Sequence, residues 1–323
     1  MTQSPLMKPV KFLALCLAVI GLLELFLNAR AGFSNQLPNF FAPADEGQIY
    51  SLKPGKVQYR HRGRLITVTV DDNGNRVTPD QTNGTAPRQR VALIGDSQIF
   101  GWGLDDSETI AAKLQGLLGG GYDVVNLGLP GTGPWRYSAL AAQERPDTIL
   151  ITAYTEVNDG QDSYTQDSYA SVNCSTLVVP GGPADGLPCW LMETALFSFI
   201  VDIKNTVAPY YLAPPLNCNP LTKSAGAIIR ARIDNLGLHS GNHPKGITIT
   251  IPWDARVDQS RLANYRPLLN RVTCNWDFPS DIDLASAMAS AENQTALFQT
   301  DDQHLSPAGA DLVAMLLAER ILG

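Results

Sequence analysis

The chain has 323 residues, 44% of them apolar and 17% charged, a balance typical of a globular protein with a buried core rather than a disordered or fibrous chain. The length suits either one large α/β domain with an attachment or two small domains, and we favour one main domain. The net charge is −7, and basic residues form only short clusters such as Arg60-His61-Arg62-Gly63-Arg64, which we interpret as solvated surface. A surface of this sign repels phosphate backbones, so the composition argues against nucleic-acid binding.

The chain begins with an apolar run from Phe12 to Leu27, preceded by two lysines and interrupted only by Glu24. The run is longer than a usual signal-peptide core and shorter than a comfortable membrane span, so its length leaves a cleaved signal peptide and a retained anchor both open. We favour a membrane anchor for residues 1–32, although Ala29-Arg30-Ala31 offers a cleavage site. Either way, the lysines predict that everything after the run is extracytoplasmic, periplasmic or at the cell surface.

Four of the five cysteines lie in this extracytoplasmic part: Cys174, Cys189, Cys218 and Cys274. An even number in an oxidising compartment favours two disulfide bonds over the alternative of four buried thiols. Three pairings are possible. We favour the bond between Cys174 and Cys189, because only a Pro/Gly-rich stretch separates them.

Residues 33–90 are predicted to form a small β-rich attachment. The run Leu65–Val70 is rich in β-branched residues, and Asp72-Asn73-Gly74-Asn75 after it supplies turn residues that tolerate positive φ. Together they indicate a hairpin.

Residues 91–323 show the pattern of the main domain, in which short apolar runs alternate with helical patterns. Such alternation predicts a parallel sheet whose ligand sites gather at the carboxyl ends of the strands. An irregular insertion at about 160–245 is either a lid or binding loop, or a structural excursion. The predicted strands are Val91–Ile94, Asp123–Asn126, Thr148–Thr152 and Ile247–Ile251.

Ser97 is the candidate nucleophile, in Gly95-Asp96-Ser97 directly after the first of these strands. A serine between a strand and a helix can present its hydroxyl above the sheet while its own backbone N–H points into the same space. The alternative is that Asp-Ser only caps a helix.

Two further segments follow strands. Gly131, in a Gly-rich turn after the second strand, can bring its backbone N–H close to a ligand. A dinucleotide site is disfavoured there, because the glycine spacing is reversed and contains a proline. Asn158, followed by Asp159, can donate its side-chain amide to developing negative charge, although an isolated Asn-Asp also indicates a turn.

His304 is the candidate base. Asp301 lies three residues earlier, and one turn of chain can bring its carboxylate against Nδ1, leaving Nε2 free to accept a proton from a serine. Ser306 and Pro307 then predict the start of a terminal helix. A metal pair at His239 and His243 is disfavoured because Gly and Pro around them indicate a loop.

In chain order, these four segments resemble the sequence blocks of the SGNH (GDSL) hydrolase superfamily, over about residues 48–320. The resemblance is strongest in Ile94–Gly103 and Val125–Gly131, which look like a bacterial membrane-anchored branch. It implies a flavodoxin-like three-layer α/β/α sandwich with a parallel sheet, here preceded by an apolar helix and the β attachment.

The resemblance also implies roles for the residues. Ser97 attacks, His304 is its base, Asp301 orients the base, and the N–H groups of Ser97 and Gly131 with the Asn158 amide form the oxyanion hole. The chain departs from the family pattern at Gln98, where leucine is usual, and at Glu156, where glycine is frequent.

The expected function is that of an esterase without cofactor or metal, which cleaves a short acyl group from a saccharide or another envelope-associated molecule through an acyl-Ser97 intermediate. Two alternatives are an O-acyltransferase with the same residues and a catalytically idle binding module in polysaccharide assembly. The membrane is an expected partner through the N-terminal segment if this is uncleaved.

Overall fold

A computed structural model describes residues 7–29, 39–43, 50–79, 88–156, 159, 171–174, 176–178, 186–192, 194–197, 200, 245–258, 260, 278, 280–300 and 302–323. The helices are α1 Met7–Ala29, α2 Ser97–Phe100, α3 Ile110–Leu118, α4 Pro134–Ala141, α5 Cys189–Met192, α6 Asp254–Val257, α7 Leu284–Ala289 and α8 Pro307–Leu322. The strands are β1 Phe41–Pro43, β2 Tyr50–Leu52, β3 Gly55–His61, β4 Arg64–Val70, β5 Gln89–Ile94, β6 Tyr122–Asn126, β7 Ile149–Thr155, β8 Ser171–Asn173, β9 Thr176–Val178 and β10 Gly246–Ile251. Short 3-10 helices cover Asp106–Glu108, Gly119–Gly121 and Gln294–Leu297.

The central sheet has the order β10-β7-β5-β6 in the described part of the chain, and every neighbouring pair is parallel. All four strands predicted from the sequence are present. The chain runs from β5 to β6 on one side and later from β7 to β10 on the other, so the connections diverge between β5 and β7. In open α/β sheets, ligands bind at the carboxyl ends of strands beside such a divergence.

Helices cover both faces of this sheet. Along β5, Val91 and Leu93 pack with α3 and α8, while Ala92 and Ile94 point to the opposite face, where they pack with Tyr137 of α4. This alternation follows from the period of two along a strand, and burying each large side chain contributes about 1.5–3 kcal/mol. The layers confirm the predicted three-layer α/β/α sandwich.

The hairpin of the attachment joins β3 to β4, in antiparallel register from Gly55 opposite Val70 to His61 opposite Arg64. Its two-residue turn is Arg62-Gly63, with φ values of 50° and 77°. Two successive positive φ values define the type I′ turn that fits the twist of a hairpin. The sequence analysis did not identify this turn, because Arg62-Gly63 lacks the usual Asn-Gly signal.

The predicted turn at Asp72–Asn75 does form, stabilised by a hydrogen bond from the Asp71 N–H to the Asn75 carbonyl at 2.9 Å. It leads into Arg76, whose backbone forms antiparallel β-bridges with Val70 on one side and with Asn126 of β6 on the other. The attachment is thereby joined to the edge of the central sheet.

Arg76 is 1% exposed, and its guanidinium group donates five hydrogen bonds. The side chain lies over the Phe100 ring, 4.8 Å from the centroid. Its bonds link the attachment to the segment that follows Ser97: Nε donates to Asp106 Oδ1, Nη1 to the carbonyls of Phe100 and Gly101, and Nη2 to those of Thr67 and Leu104.

The attachment also shares its apolar core with the main domain. Phe40, Tyr59 and Ile66 are buried in one cluster with Phe100 of α2 and with Leu129, which precedes Gly131. A wall of the region around Ser97 is therefore built by residues from the N-terminal part of the chain.

Two described segments of the insertion are joined by a disulfide bond between Cys174 and Cys189, whose Cα atoms are 5.2 Å apart. This confirms the favoured pairing. Cys218 and Cys274 lie outside the described residues, so the second predicted bond stays a prediction.

The N-terminal helix α1 carries mostly exposed apolar side chains, and Glu24 within it accepts hydrogen bonds from the N–H groups of Ala195 and Leu196 at 2.7 and 2.8 Å. Among the described residues, no helix combines the length and the apolarity needed to cross a membrane.

Candidate active site

Ser97 is the first residue of α2, immediately beyond the carboxyl end of β5. The turn is tight, since a Cβ on Gly95 would lie 2.5 Å from a side-chain atom of Ile99. Asp96 caps the helix by accepting the Gln98 N–H at 2.9 Å, and the same oxygen accepts the Thr155 hydroxyl of β7 at 3.0 Å. Asp96 thus ties the turn after β5 to the neighbouring strand β7. Ser97 is partly exposed and lies where the strand connections diverge.

Three side chains form a continuous hydrogen-bonded chain at this point. Nε2 of His304 lies 2.8 Å from Ser97 Oγ, and Nδ1 of the same ring lies 2.6 Å from Asp302 Oδ1. Because a carboxylate only accepts, Nδ1 carries the ring proton, and Nε2 is left to accept the proton of the serine hydroxyl. This is the geometry of a serine activated by a neighbouring base.

The carboxylate partner of His304 is Asp302, and the prediction of Asp301 for that place is corrected. The reason is local: Asp302 Oδ1 also accepts the backbone N–H of His304 at 3.2 Å, so the side chain folds back over the residue two positions later. Asp side chains commonly close such turns. Asp301 lies outside the described residues.

Gln98 links the nucleophile turn to the loop of the base. Its side-chain amide donates to the Gln303 carbonyl at 3.0 Å and accepts the Leu305 N–H at 3.0 Å, so that it holds the backbone on both sides of His304. The side chain is 4% exposed. This departure from the family pattern thus fixes the position of the base, a role that the sequence analysis did not assign. The terminal helix α8 begins as predicted, with Ser306 accepting the Gly309 N–H.

The electrostatics of the three groups follow from burial and proximity. Burial disfavours the imidazolium, but the charge and hydrogen bond of Asp302 outweigh it and raise the pKa of His304 above its ordinary value, with Asp96 adding to the rise and Arg62 opposing it. Burial likewise disfavours the Asp302 carboxylate. It is outweighed by His304, His61 and Arg62, which hold the pKa of Asp302 well below its usual range.

The expected oxyanion residues are placed in part. Gly131 lies exposed in the turn after β6 with a φ of 73°, a conformation that favours glycine. Its turn packs closely on α2, since a Cβ on Gly128 would lie 2.2 Å from the Phe100 nitrogen. Asn158 lies outside the described residues. Its neighbour Asp159 is fully buried and accepts the Thr155 N–H at 2.8 Å.

Glu156, the second departure from the family pattern, has a structural contact. Its carboxylate accepts the backbone N–H of Trp253 at 2.9 Å and forms an ion pair with Arg256. It therefore ties the end of β7 to α6.

No family model matches this chain, and no curated protein does. Among solved structures, a lipase/acylhydrolase from Enterococcus faecalis aligns with 72% of this chain and 95% of its own, at 15% identity and a TM-score of 0.37. TesA aligns with 73% of this chain and 100% of its own, at 15% identity and a TM-score of 0.33.

The tip of the β3–β4 hairpin also contacts the site, which the sequence analysis missed. His61 Nε2 lies 3.7 Å and Arg62 Nε 3.5 Å from Asp302 Oδ2. The basic cluster interpreted as solvated surface is therefore partly a contact of the site, and His61 is only 9% exposed. These residues precede Asp302 by some 240 positions, and nothing in the local pattern indicates the contact.

A half-buried tryptophan forms one side of the site: the ring centroids of Trp102 and His304 are 6.2 Å apart. A cavity of about 530 Å³ lies elsewhere, between the turn at 71–77, β6 and α4, and Ser97 does not line it. Within the described part of the chain, no group of three or more His, Cys, Asp or Glu side chains is placed to hold a metal ion.

Proposed function

We propose that this chain is an extracytoplasmic serine ester hydrolase of the SGNH type. The observation that carries the proposal is the hydrogen-bonded chain from Ser97 Oγ through both ring nitrogens of His304 to Asp302, at 2.8 and 2.6 Å. A structural or binding role needs no base on a partly exposed serine, whereas acyl transfer does.

In the first half of the reaction, Ser97 Oγ attacks the acyl carbon while its proton moves to Nε2 of His304. The tetrahedral intermediate collapses when the ester C–O bond breaks, and His304 returns that proton to the departing alcohol oxygen. The product is an acyl-Ser97 ester and a free alcohol. Asp302 stabilises the imidazolium between the two transfers without taking the proton.

In the second half, water replaces the alcohol. His304 accepts a proton from the water as it attacks the acyl carbon, and gives the proton to Ser97 Oγ as the acyl bond breaks. The N–H groups of Ser97 and Gly131 and the amide of Asn158 are proposed to stabilise the negative oxygen in both halves.

For the substrate, we propose a short acyl group on a saccharide or another envelope-associated molecule. The half-buried side chain of Trp102 beside His304 supports a ring-shaped alcohol, because an aromatic side chain offers apolar contact area to one face of a ring. The disulfide bond between Cys174 and Cys189 supports an extracytoplasmic location, since such bonds persist in oxidising compartments.

The test is labelling with a fluorophosphonate probe, followed by peptide mapping, in the wild type, Ser97→Ala and His304→Gln. We expect the label on Ser97 in the wild type, none in Ser97→Ala and strongly slowed labelling in His304→Gln. Absence of label from the folded wild type would overturn the proposal and favour the binding module. Where labelling succeeds, an activated acetyl ester is supplied with and without a sugar acceptor. Free acetate as the product identifies water as the final acceptor, and acetylated sugar identifies a hydroxyl.

A further inference from the structure

The geometry at Asp302 points to a role for the hairpin tip of the attachment, which rests on the proposed function. We propose that His61 and Arg62 are positioning residues that hold Asp302 Oδ2, so that Oδ1 stays directed at Nδ1 of His304. The attachment would then be part of the catalytic machinery.

The two oxygens of Asp302 have separate surroundings. Oδ1 faces the Nδ1 and backbone N–H groups of His304, at 2.6 and 3.2 Å. Oδ2 faces the hairpin, with His61 Nε2 at 3.7 Å and Arg62 Nε at 3.5 Å. A carboxylate held at both oxygens cannot rotate away from the imidazole, and such outer contacts orient groups that do chemistry.

The proton on His61 follows from its other neighbour, Gln299. The amide nitrogen of Gln299 donates to the carbonyls of Trp102 and Leu305 at 2.6 and 3.0 Å, which fixes its orientation. Its oxygen therefore faces His61 Nε2, at 3.1 Å. Because the amide oxygen and the nearby carboxylate are both acceptors, Nε2 of His61 is the protonated ring nitrogen. Its N–H donates to Gln299 Oε1, and its positive end lies 3.7 Å from Asp302 Oδ2.

Arg62 stands where the turn alone favours another residue. Its φ of 50° lies in the left-handed region, and asparagine before glycine is the preferred pair in a type I′ turn. Arg62 also donates to the Thr300 carbonyl, two residues before Asp302. The presence of an unfavoured residue at this place fits a requirement for a long, charged side chain that contacts Asp302 rather than a requirement of the turn.

Arg62→Asn is the informative variant, because it creates the Asn-Gly pair that stabilises this turn while it removes the guanidinium. Arg64→Asn is the matched control: Arg64 lies on the same hairpin but pairs with Glu108, at 2.7 Å, away from Asp302. Arg62→Lys keeps the charge and tests for rescue. Thermal unfolding of each variant establishes that the hairpin is intact.

The first readout is the imidazole titration of His304 by NMR, assigned by its absence in His304→Gln, and it needs no turnover. The charged or titratable groups that act on His304 are Asp302, Asp96 and Arg62; those on Asp302 also include His61 and the Tyr59 phenol, whose pKa burial raises to about 12. Arg62 is the cation that opposes protonation of His304. Loss of its charge alone would move the titration to higher pH, whereas an Asp302 that turns away from Nδ1 no longer raises the pKa of His304. Because Asp302 has the larger influence on His304, we expect Arg62→Asn to move the titration to lower pH, and Arg62→Lys and Arg64→Asn to leave it near the wild type.

The second readout is kcat/KM for an activated ester. We expect kcat/KM to fall about tenfold in Arg62→Asn, the lower end of what lost outer contacts cost at metal sites, with the acid limb at lower pH. A His304 titration in Arg62→Asn that is unchanged or moves to higher pH, or an unchanged kcat/KM, would overturn the positioning role and leave the proposed function intact. A wild type that never labels at Ser97 would instead overturn the proposed function, while the NMR titration still decides whether the hairpin acts on His304.

Discussion

Replacing Asp302 by asparagine tests the site most sharply, because the structure gives each side-chain atom a different partner. The hairpin side offers only donors, from His61 and Arg62, and requires an oxygen there. The His304 side also offers donors, from Nδ1 and the backbone N–H. Asparagine has a single oxygen, so one side must face its NH₂ group. If NH₂ faces Nδ1, it favours the tautomer whose Nε2 already carries a proton and cannot accept that of Ser97.

The expected loss in kcat is about 10⁴-fold, the cost of a wrong tautomer in the same arrangement elsewhere. That is about 5 kcal/mol of lost transition-state stabilisation, at about 1.4 kcal/mol per tenfold. The assay is hydrolysis of an activated ester, with the fold of the variant checked by circular dichroism.

Asp301→Asn is the matched control, since it removes the same charge one position earlier. We expect only a small loss from it. If Asp301→Asn abolished turnover while Asp302→Asn retained it, the pairing of Asp302 with His304 would be refuted.

Three further outcomes follow from the described contacts. Arg76→Met removes the fully buried cation of the ion pair with the half-buried Asp106, and should lower the free energy of unfolding by about 3–5 kcal/mol in urea titrations. A loss below about 1 kcal/mol would contradict the role of Arg76 as a link. Gln98→Leu introduces the leucine usual in the SGNH sequence pattern and removes a hydrogen-bond partner from two backbone groups beside the base, at a cost of about 1–3 kcal/mol each. It should lower both the unfolding midpoint and kcat/KM; unchanged turnover would show that the loop of the base keeps its position without Gln98. The pKa of His304 is raised and only the neutral ring accepts a proton, so kcat/KM should fall as pH drops through a midpoint above about 6.5. Asp302→Asn should move that midpoint to lower pH, and a profile flat from pH 5 to pH 8 would exclude His304 as the base.

The sequence predicted the central sheet well because its strands are buried on both faces and appear as continuous apolar runs, such as Val91–Ile94. Ser97 and His304 were found for a related reason: each stands next to a clear boundary signal, a strand end for one and a Ser-Pro helix start for the other.

The carboxylate partner could not be predicted, because Asp301 and Asp302 are adjacent and the choice depends on a side chain folding over its own backbone. The hairpin contact could not be predicted either, since it joins residues far apart in sequence. The Gln98 bridge had one signal, a polar residue where leucine is usual, but its partners follow only from the packing of the loop.

The buried cluster of Phe40, Tyr59, Phe100 and Leu129 joins the attachment to the main domain, so the two parts must fold together to form the active site. The groups around Asp302 come from positions near 61 and near 302, so a loop of about 240 residues must close before the base is held. Contacts of such high sequence separation slow folding, because chain entropy is lost before they stabilise the structure. We therefore expect the part of the tryptophan fluorescence change that is lost in Trp102→Phe to report assembly of the main domain and the attachment in one late, slow phase, at the same rate as the recovery of esterase activity.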